Sequence, residues 1–132
     1  MTNVFSVGEM IKCVGISYRQ AQYWRRTSFV APSVRLGGRV SGYTFADVVL
    51  AKVAYRLRQA NRSVQQMRDF IPALGEGLKR ILFPLAQAII VIDGDKFYIA
   101  KYGIVYSQNS DVIEINCADI LSSLIPRHQI PV

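Results

Sequence analysis

The sequence predicts an α+β fold, with four helices and a short β-hairpin in its first half and a small antiparallel β lobe with a closing helix in its second. Apolar residues recur at helical spacing up to residue 71, and short β-branched runs replace that pattern after residue 85. An apolar fraction of 51% with 19% charged residues is typical of a chain that buries a core. We therefore expect a helical module over residues 1–71, a linker or broken helix over 72–85 and a β lobe over 86–132, with few contacts between the two parts.

The first two helices are predicted by their start and stop signals. Ser6 and Glu9 have the Ser-x-x-Glu spacing of a capping box, in which both side chains bond to amides that a helix start leaves unpaired. Gly15 follows the apolar face of this helix, at the point where a chain leaving a helix often needs a positive φ. Ser17 then caps a second helix that we expect to end near Arg26. Two short helices joined by a tight turn indicate a helix-turn-helix motif.

The second helix of such a motif lies in the major groove of DNA, so its outward side chains decide what it binds. Arginine can bond two acceptors of guanine, and glutamine can bond an acceptor and a donor of adenine. Tyrosine hydroxyls suit phosphate oxygens. We expect Ala21 and Trp24 to face inward. The residues expected to contact double-stranded DNA are Ser17, Tyr18, Arg19, Gln20, Tyr23 and Arg26.

A short β-hairpin is predicted after the second helix. Residues 34–41 alternate apolar and polar side chains around Gly37-Gly38, and a glycine pair favours a two-residue hairpin turn. Such a hairpin beside a recognition helix forms a wing, on which Arg35 and Arg39 meet the phosphate backbone or the minor groove. The alternative is that both arginines are merely solvated, but their place beside the helix-turn-helix favours contact.

Two longer helices complete the first half. Residues 45–60 contain no proline or glycine and place apolar residues at helical spacing, which predicts a third helix with a basic outer edge. Ser63 caps a fourth helix through Ile71, and Pro72 is expected to end it because proline disrupts a helix interior.

The second half is predicted to be a small antiparallel lobe. Asp93-Gly94-Asp95 has the composition of a hairpin turn between two apolar runs. The lobe is expected to mediate dimerisation or to bind a protein partner. Its predicted strands and closing helix are residues 88–92, 97–100, 103–106, 112–115 and 118–124.

Charge is divided unequally between the two halves. The chain has a formal net charge of +7; residues 1–71 hold eleven lysines and arginines against three acidic residues, whereas residues 72–132 hold five against six. A basic module of this kind attracts nucleic acid. The longest apolar run, residues 88–92, is too short for a membrane span, and Glu9 interrupts what would be the core of a signal peptide. We therefore expect a cytoplasmic, nucleoid-associated protein that does not bind membranes.

An enzyme would need a constellation of reactive side chains, and the sequence offers little material for one. His128 is the single histidine and lies in a proline-flanked tail, while Asp93 and Asp95 belong to the predicted turn. Cys13 and Cys117 are far apart and lack the spacing of metal ligands, so buried thiols are expected. We predict no catalytic activity, no cofactor and no bound metal.

Six segments follow one another in the order and spacing of a known family. They are Phe5-Ser6-Val7-Gly8-Glu9, Val14-Gly15-Ile16-Ser17-Tyr18-Arg19, Tyr23-Trp24, Pro32-Ser33, Gly42-Tyr43-Thr44-Phe45-Ala46-Asp47-Val48 and Ser63-Val64-Gln65-Gln66-Met67-Arg68. Over residues 4–71 the chain therefore resembles the MerR family of bacterial transcription regulators. The resemblance implies that Tyr18, Arg19 and Tyr23 contact DNA and that Trp24 is a core residue. It also implies that the hairpin arginines, with Tyr43 at the end of the hairpin, are wing contacts.

Three departures from the family pattern bear on function. Ser41 stands where the family usually has an arginine, which moves the expected wing contact to Arg39. Arg25 replaces the family's acidic residue after the tryptophan. Typical members continue into a long coiled-coil helix that dimerises, but no heptad run follows Pro72, so the β lobe is expected to take over that role.

The function predicted from the sequence is a sequence-specific transcriptional regulator that binds a palindrome as a homodimer. One alternative is an architectural or excisionase-like DNA-binding protein that binds direct repeats and bends them. Another is an antitoxin-like interaction protein whose β lobe binds another protein, and which would be poorly soluble or unpaired alone. The symmetry of the DNA site and the mass in solution discriminate among the three.

Overall fold

The computed structural model describes residues 4–36, 38–101 and 112–124, with the side chains of residues 36 and 39–41 outside that description. In this part a helical first half with a β-hairpin is followed by a three-stranded antiparallel sheet and a closing helix, which confirms the predicted α+β fold. The elements are α1 (Val7–Val14), α2 (Tyr18–Arg26), β1 (Val34–Leu36), β2 (Arg39–Gly42), α3 (Phe45–Gln59), α4 (Val64–Lys79), a 3-10 turn (Leu85–Gln87), β3 (Ala88–Asp93), β4 (Lys96–Lys101), β5 (Ile113–Asn116) and α5 (Cys117–Leu124). The strand predicted over residues 103–106 and the tail residue His128 lie outside the described residues.

Side-chain caps fix where the first four helices begin. The hydroxyl of the residue before each helix accepts a hydrogen bond from the backbone N–H three residues later. The capping residues are Ser6, Ser17, Thr44 and Ser63. Gly15 ends α1 with a φ of 94°, a conformation that L side chains rarely adopt. Gly15 and Ser17 therefore define the turn between α1 and α2.

Helix α4 extends further than the sequence predicts. It runs through Pro72 to Lys79, where the sequence predicts an end at Ile71 and a linker or broken helix beyond it. Leu74 and Leu78 continue its apolar face past the proline and are 0% and 7% exposed. Burying two leucine side chains stabilises the helix by roughly 3–6 kcal/mol, which offsets the cost of about 3 kcal/mol for an internal proline. Tertiary packing of this face therefore decides the length of α4.

Strand β3 is the centre of the sheet, lies between β4 and β5, and pairs antiparallel with both. Ile90 on β3 lies opposite Ile99 on β4 and Ile115 on β5, and its side chain is fully buried. The turn between β3 and β4 contains Gly94 at a φ of 63°, as its sequence predicts for a two-residue hairpin turn. The described sheet thus turns one apolar face toward the helices.

The helical half and the sheet share one hydrophobic core, where the sequence predicts few contacts between the two parts. The rings of Phe70 on α4 and Phe97 on β4 meet edge to face with centroids 5.4 Å apart. Helix α5 packs against α1, and the Cys13 thiol on α1 lies 3.7 Å from the carbonyl oxygen of Ile120 on α5. A sheet this small buries too little surface on its own, so helical surface must cover its inner face.

We predict that Ile90→Ala lowers the free energy of unfolding by about 2–5 kcal/mol, because the side chain is fully buried and its removal leaves a cavity. Since the single tryptophan, Trp24, lies in the helical half, its fluorescence should report this loss if the core is shared. Urea unfolding followed by fluorescence and by circular dichroism measures the effect. Lys96→Ala, exposed on the next strand, is the control and should change stability by less than about 0.5 kcal/mol. An unfolding midpoint, followed by Trp24 fluorescence, that is the same in Ile90→Ala and in the wild-type protein would contradict the shared core.

Candidate nucleic-acid interface

Helix α2 is anchored by two buried side chains and exposes the opposite face. Ala21 and Trp24 are 1% and 4% exposed and pack into the core. At about 100° per residue, Arg19 and Arg26 lie on the side opposite them, and both side chains are exposed. The burial of Trp24 therefore directs two of the predicted arginines to solvent.

Gln22 and Tyr23 complete this face, because residues 19, 22, 23 and 26 follow the i, i+3, i+4, i+7 spacing of one helix side. Tyr23 is 48% exposed, and Tyr18, at the start of the helix, is 57% exposed. Two large exposed tyrosines can offer hydroxyl groups to a partner. Gln22 is absent from the contacts that the sequence predicts, although the same helical spacing identifies it.

Two other predicted contact residues have partners within the protein. The Ser17 hydroxyl accepts a hydrogen bond of 3.0 Å from the Gln20 backbone N–H, so Ser17 is the N-cap of α2. The Gln20 side chain lies beside the exposed face, partly buried, and its Oε1 atom accepts a hydrogen bond from Arg58 Nη1 on α3. Ser17 and Gln20 are thus structural residues of the helix start as well as candidate contacts.

A groove of about 490 Å³ separates α2 from the turn between α3 and α4. None of the described residues that line it is acidic, and its apolar lining includes Trp24 and Met67. Five arginines line it: Arg19, Arg26, Arg58, Arg62 and Arg68. For Arg58 the sequence predicts no more than a basic edge on the third helix, and for Arg62 and Arg68 it predicts no DNA contact, because only the tertiary fold brings these three residues opposite α2.

These arginines have little internal charge compensation. Within the residues that the structure describes, the one ion pair joins Lys79 and Glu76 at 3.3 Å, at the opposite end of α4. Arg62 Nη1 donates to the backbone carbonyl of Gly94 at 3.1 Å, a contact that neutralises no charge. Five like charges around one groove favour a polyanion, which supplies the missing counter-charge.

Strands β1 and β2 form the predicted hairpin, with Gly38 at a φ of 81° in its turn. The Arg35 side chain is exposed, whereas Arg39 lies on β2 with its side chain outside the described part. Asp47 on α3 holds the base of the hairpin, because its Oδ2 atom accepts bonds from the Ser33 N–H at 3.1 Å and the Ser33 hydroxyl at 2.6 Å. The wing is therefore attached to the start of α3.

Tyr43 is placed differently from the sequence prediction. Its side chain is 2% exposed, and its backbone forms two hydrogen bonds of 2.8 Å with Phe5 that close the hairpin onto the segment before α1. Burial raises the pKa of its hydroxyl, and the nearby Arg25 charge lowers it by less. Burial leaves Tyr43 almost no surface for the predicted DNA contact, and the residue instead joins the wing to the core.

Cysteines and acidic residues form no metal site in the described part of the chain, where no three His, Cys, Asp or Glu side chains lie close enough together to hold an ion. Cys13 and Cys117 are free thiols. Burial raises the pKa of Cys117 to about 12, so this thiol stays protonated at neutral pH. Among residues 4–36, 38–101 and 112–124, no helix has both the length and the apolar character of a membrane span.

The arrangement of these elements defines a class of protein. Two short helices joined at Gly15, a β-hairpin attached to the start of α3, and arginines on both α2 and the hairpin make a winged helix-turn-helix, which is a nucleic-acid-binding fold. The family follows from comparison with known proteins, since the model described as MerR HTH family regulatory protein matches residues 5–74, more than half of the chain. The chain therefore belongs to the MerR family, which confirms the resemblance seen in the sequence.

Curated relatives are similar to this chain over about two thirds of its length. Two proteins named as uncharacterized HTH-type transcriptional regulators, one from Mycobacterium tuberculosis and one from Mycobacterium bovis, are each 34% identical to it over 87 residues. The matched stretch is 64% of this chain and 37% of each relative. The chain thus covers little more than a third of the length of these relatives.

We predict that Arg68→Gln weakens binding to any DNA duplex and lowers the slope of log affinity against log salt by about 0.9, because one phosphate contact in the groove is lost. Arg80→Gln is the matched control, since it removes the same charge from an exposed position after α4 that does not line the groove, and it should leave the slope unchanged. Fluorescence anisotropy of a labelled duplex at several salt concentrations measures both slopes. Equal slopes for the wild-type protein and Arg68→Gln would exclude Arg68 from the interface.

Proposed function

We propose that this chain is a DNA-binding transcriptional regulator that recognises a specific palindromic operator as a homodimer. The observation that supports this most directly is the exposed face of α2, where Arg19, Tyr23 and Arg26 lie along a groove whose described lining includes five arginines and no acidic residue. Membership of the MerR family supports the same function, as do the names of the curated relatives, which call them transcriptional regulators.

In this proposal α2 enters the major groove of double-stranded DNA with its first turns. Arg19 is the second residue of α2, where its guanidinium can bond to O6 and N7 of a guanine. Tyr18, Tyr23 and the arginines across the groove bind phosphates and set the register of the helix. Arg35 and Arg39 on the wing meet the backbone or the minor groove beside it.

Two copies of the chain supply the specificity. One module of this size buries roughly 600–1,000 Å² against DNA, which seldom gives tight specificity alone. A two-fold homodimer doubles the contact and places two α2 helices about 34 Å apart, one turn of DNA. We propose that residues 1–71 bind DNA and that the β lobe, residues 86–132, forms the dimer or contacts a protein partner. In support, β4 and β5 are the outer strands of the described sheet.

The proposed function requires only binding. It uses no catalytic group and no cofactor, because the arginine groove neutralises a polyanion and transforms no substrate. Because its proposed target is double-stranded DNA, we propose that the protein acts in the cytoplasm, at the nucleoid.

Selection of bound fragments from host genomic DNA at two salt concentrations, together with the mass of the protein in solution, tests the proposal. A short two-fold symmetric motif recovered by a dimer is the expected result. Direct repeats that are bent on binding would indicate the architectural alternative, and binding that needs a second protein would indicate the interaction alternative. Salt-sensitive binding without any motif would contradict a sequence-specific regulator.

At a site recovered in this way, we expect Arg19→Ala to weaken the free energy of binding by about 1–3 kcal/mol and to relax the base preference at one base pair. Both effects follow because a bidentate contact to a base edge is lost. Arg25→Ala removes the same type of side chain from an exposed position on α2 that does not line the groove, and it should retain the base preference. Competition binding against single-base variants of the site measures both effects. If Arg19→Ala lowers the affinity for every DNA sequence by the same factor, Arg19 contacts phosphate alone.

A further inference from the structure

Helix α2 has a second exposed strip, which is formed by Tyr18, Gln22 and Arg25. These residues follow the i, i+4, i+7 spacing of one helix side. Tyr18 and Arg25 are exposed, Gln22 between them is partly buried, and none of the three lines the arginine-lined groove. At about 100° per residue, Arg25 and Gln20 lie on opposite flanks of the buried side of α2. Gln20 lines the groove, so the strip faces away from it.

The surroundings of Tyr43 indicate that this side of α2 faces the wing. Tyr43 follows β2 and closes the hairpin onto the segment before α1. Burial raises the pKa of its hydroxyl, the positive charge of Arg25 lowers it by less, and Tyr18 adds a smaller increase. Both ends of the strip are therefore close to the base of the hairpin. We call Tyr18, Gln22 and Arg25 the wing-side strip.

No carboxylate neutralises the Arg25 charge within the described part of the chain, where the one ion pair joins Lys79 and Glu76. Asp47 is the acidic residue that also acts on Tyr43, but its Oδ2 atom accepts hydrogen bonds from Ser33 at the base of the hairpin. An exposed guanidinium without a carboxylate partner suits a phosphate, which it can bind through two parallel bonds. Arg25 thus has a free charge on the side of α2 that faces the wing.

The dimensions of DNA require basic groups on both sides of a recognition helix. The major groove is about 12 Å wide, and a phosphate backbone borders it on each side. A helix with its side chains is about 10–12 Å across, so a helix in the major groove brings its two sides close to the two backbones. In the proposed function Arg68, across the arginine-lined groove from α2, meets one backbone. The wing-side strip then faces the other.

We propose that Arg25 is a further DNA-binding residue, which contacts a phosphate on the strand opposite to the strand that Arg68 contacts. Tyr18, at the other end of the strip, offers its hydroxyl to the same backbone. This inference rests on the proposed function, in which α2 lies in the major groove. A phosphate contact carries no direct sequence information, so Arg25 contributes affinity and leaves the base preference to Arg19.

The salt dependence of binding by the wild-type protein, R25Q, R25K and R80Q tests for this contact. Anisotropy of a labelled duplex should show that R25Q lowers the slope of log affinity against log salt by about 0.9, because one phosphate contact is lost. R25K keeps the charge and should retain the wild-type slope. R80Q is the matched control, since it removes the same charge from an exposed position after α4, and its slope should equal that of the wild-type protein.

Ethylation interference on the recovered site locates the phosphate, because an ethyl group neutralises one phosphate at a time. In R25Q, ethylation of one phosphate should no longer weaken binding, because the contact to it is already absent. R68Q identifies its own phosphate in the same way. Within one half-site, the two phosphates should lie on opposite strands. Circular dichroism verifies that each variant is folded.

An R25Q slope equal to that of the wild-type protein overturns this inference and leaves the proposed function intact. Two phosphates on the same strand also overturn it, as does an R68Q protein that loses no phosphate contact. A wild-type protein that selects no site overturns the proposed function and this inference together.

Discussion

The interface depends on the burial of Trp24 in the helical core. Its ring packs edge to face against Phe29 with centroids 5.7 Å apart, and together with Ala21 it fixes the rotation of α2 about its own axis. A helix that is buried along one side can present only the opposite side, so Arg19 and Arg26 point outward. The same core positions the turn between α3 and α4, which is why arginines far apart in the sequence reach one groove.

Clustering five arginines costs folding free energy, because like charges around one groove repel each other. The shared core offsets that cost, and the sheet contributes by covering apolar surface of α4 through the contact between Phe70 and Phe97. The bond from Arg62 to the Gly94 carbonyl also joins the groove to the turn between β3 and β4. The β lobe is thus part of the structure that holds the interface in place, and DNA would relieve the repulsion that remains.

Local signals predict the helix-turn-helix almost to the residue, because Gly15 and Ser17 act on amides and carbonyls within one turn of themselves. Such local signals do not predict features that depend on contacts between residues far apart in the sequence. Pro72 lies inside a helix because buried leucines follow it, and Tyr43 is buried because the chain before α1 pairs with it. The bond that Arg58 makes spans 38 positions, and no local pattern in the sequence records it. The sequence therefore predicts that α2 is the DNA-binding helix, whereas the groove residues opposite α2 can be identified only from the tertiary fold.

Methylation interference on a recovered site tests most directly whether α2 lies in the major groove. Guanine N7 lies in the major groove and adenine N3 in the minor groove, so dimethyl sulfate marks both surfaces in one experiment. We predict that methylation of guanine N7 within each half-site abolishes binding. Binding that tolerates N7 methylation throughout the site and fails only when adenine N3 is methylated would contradict recognition by α2.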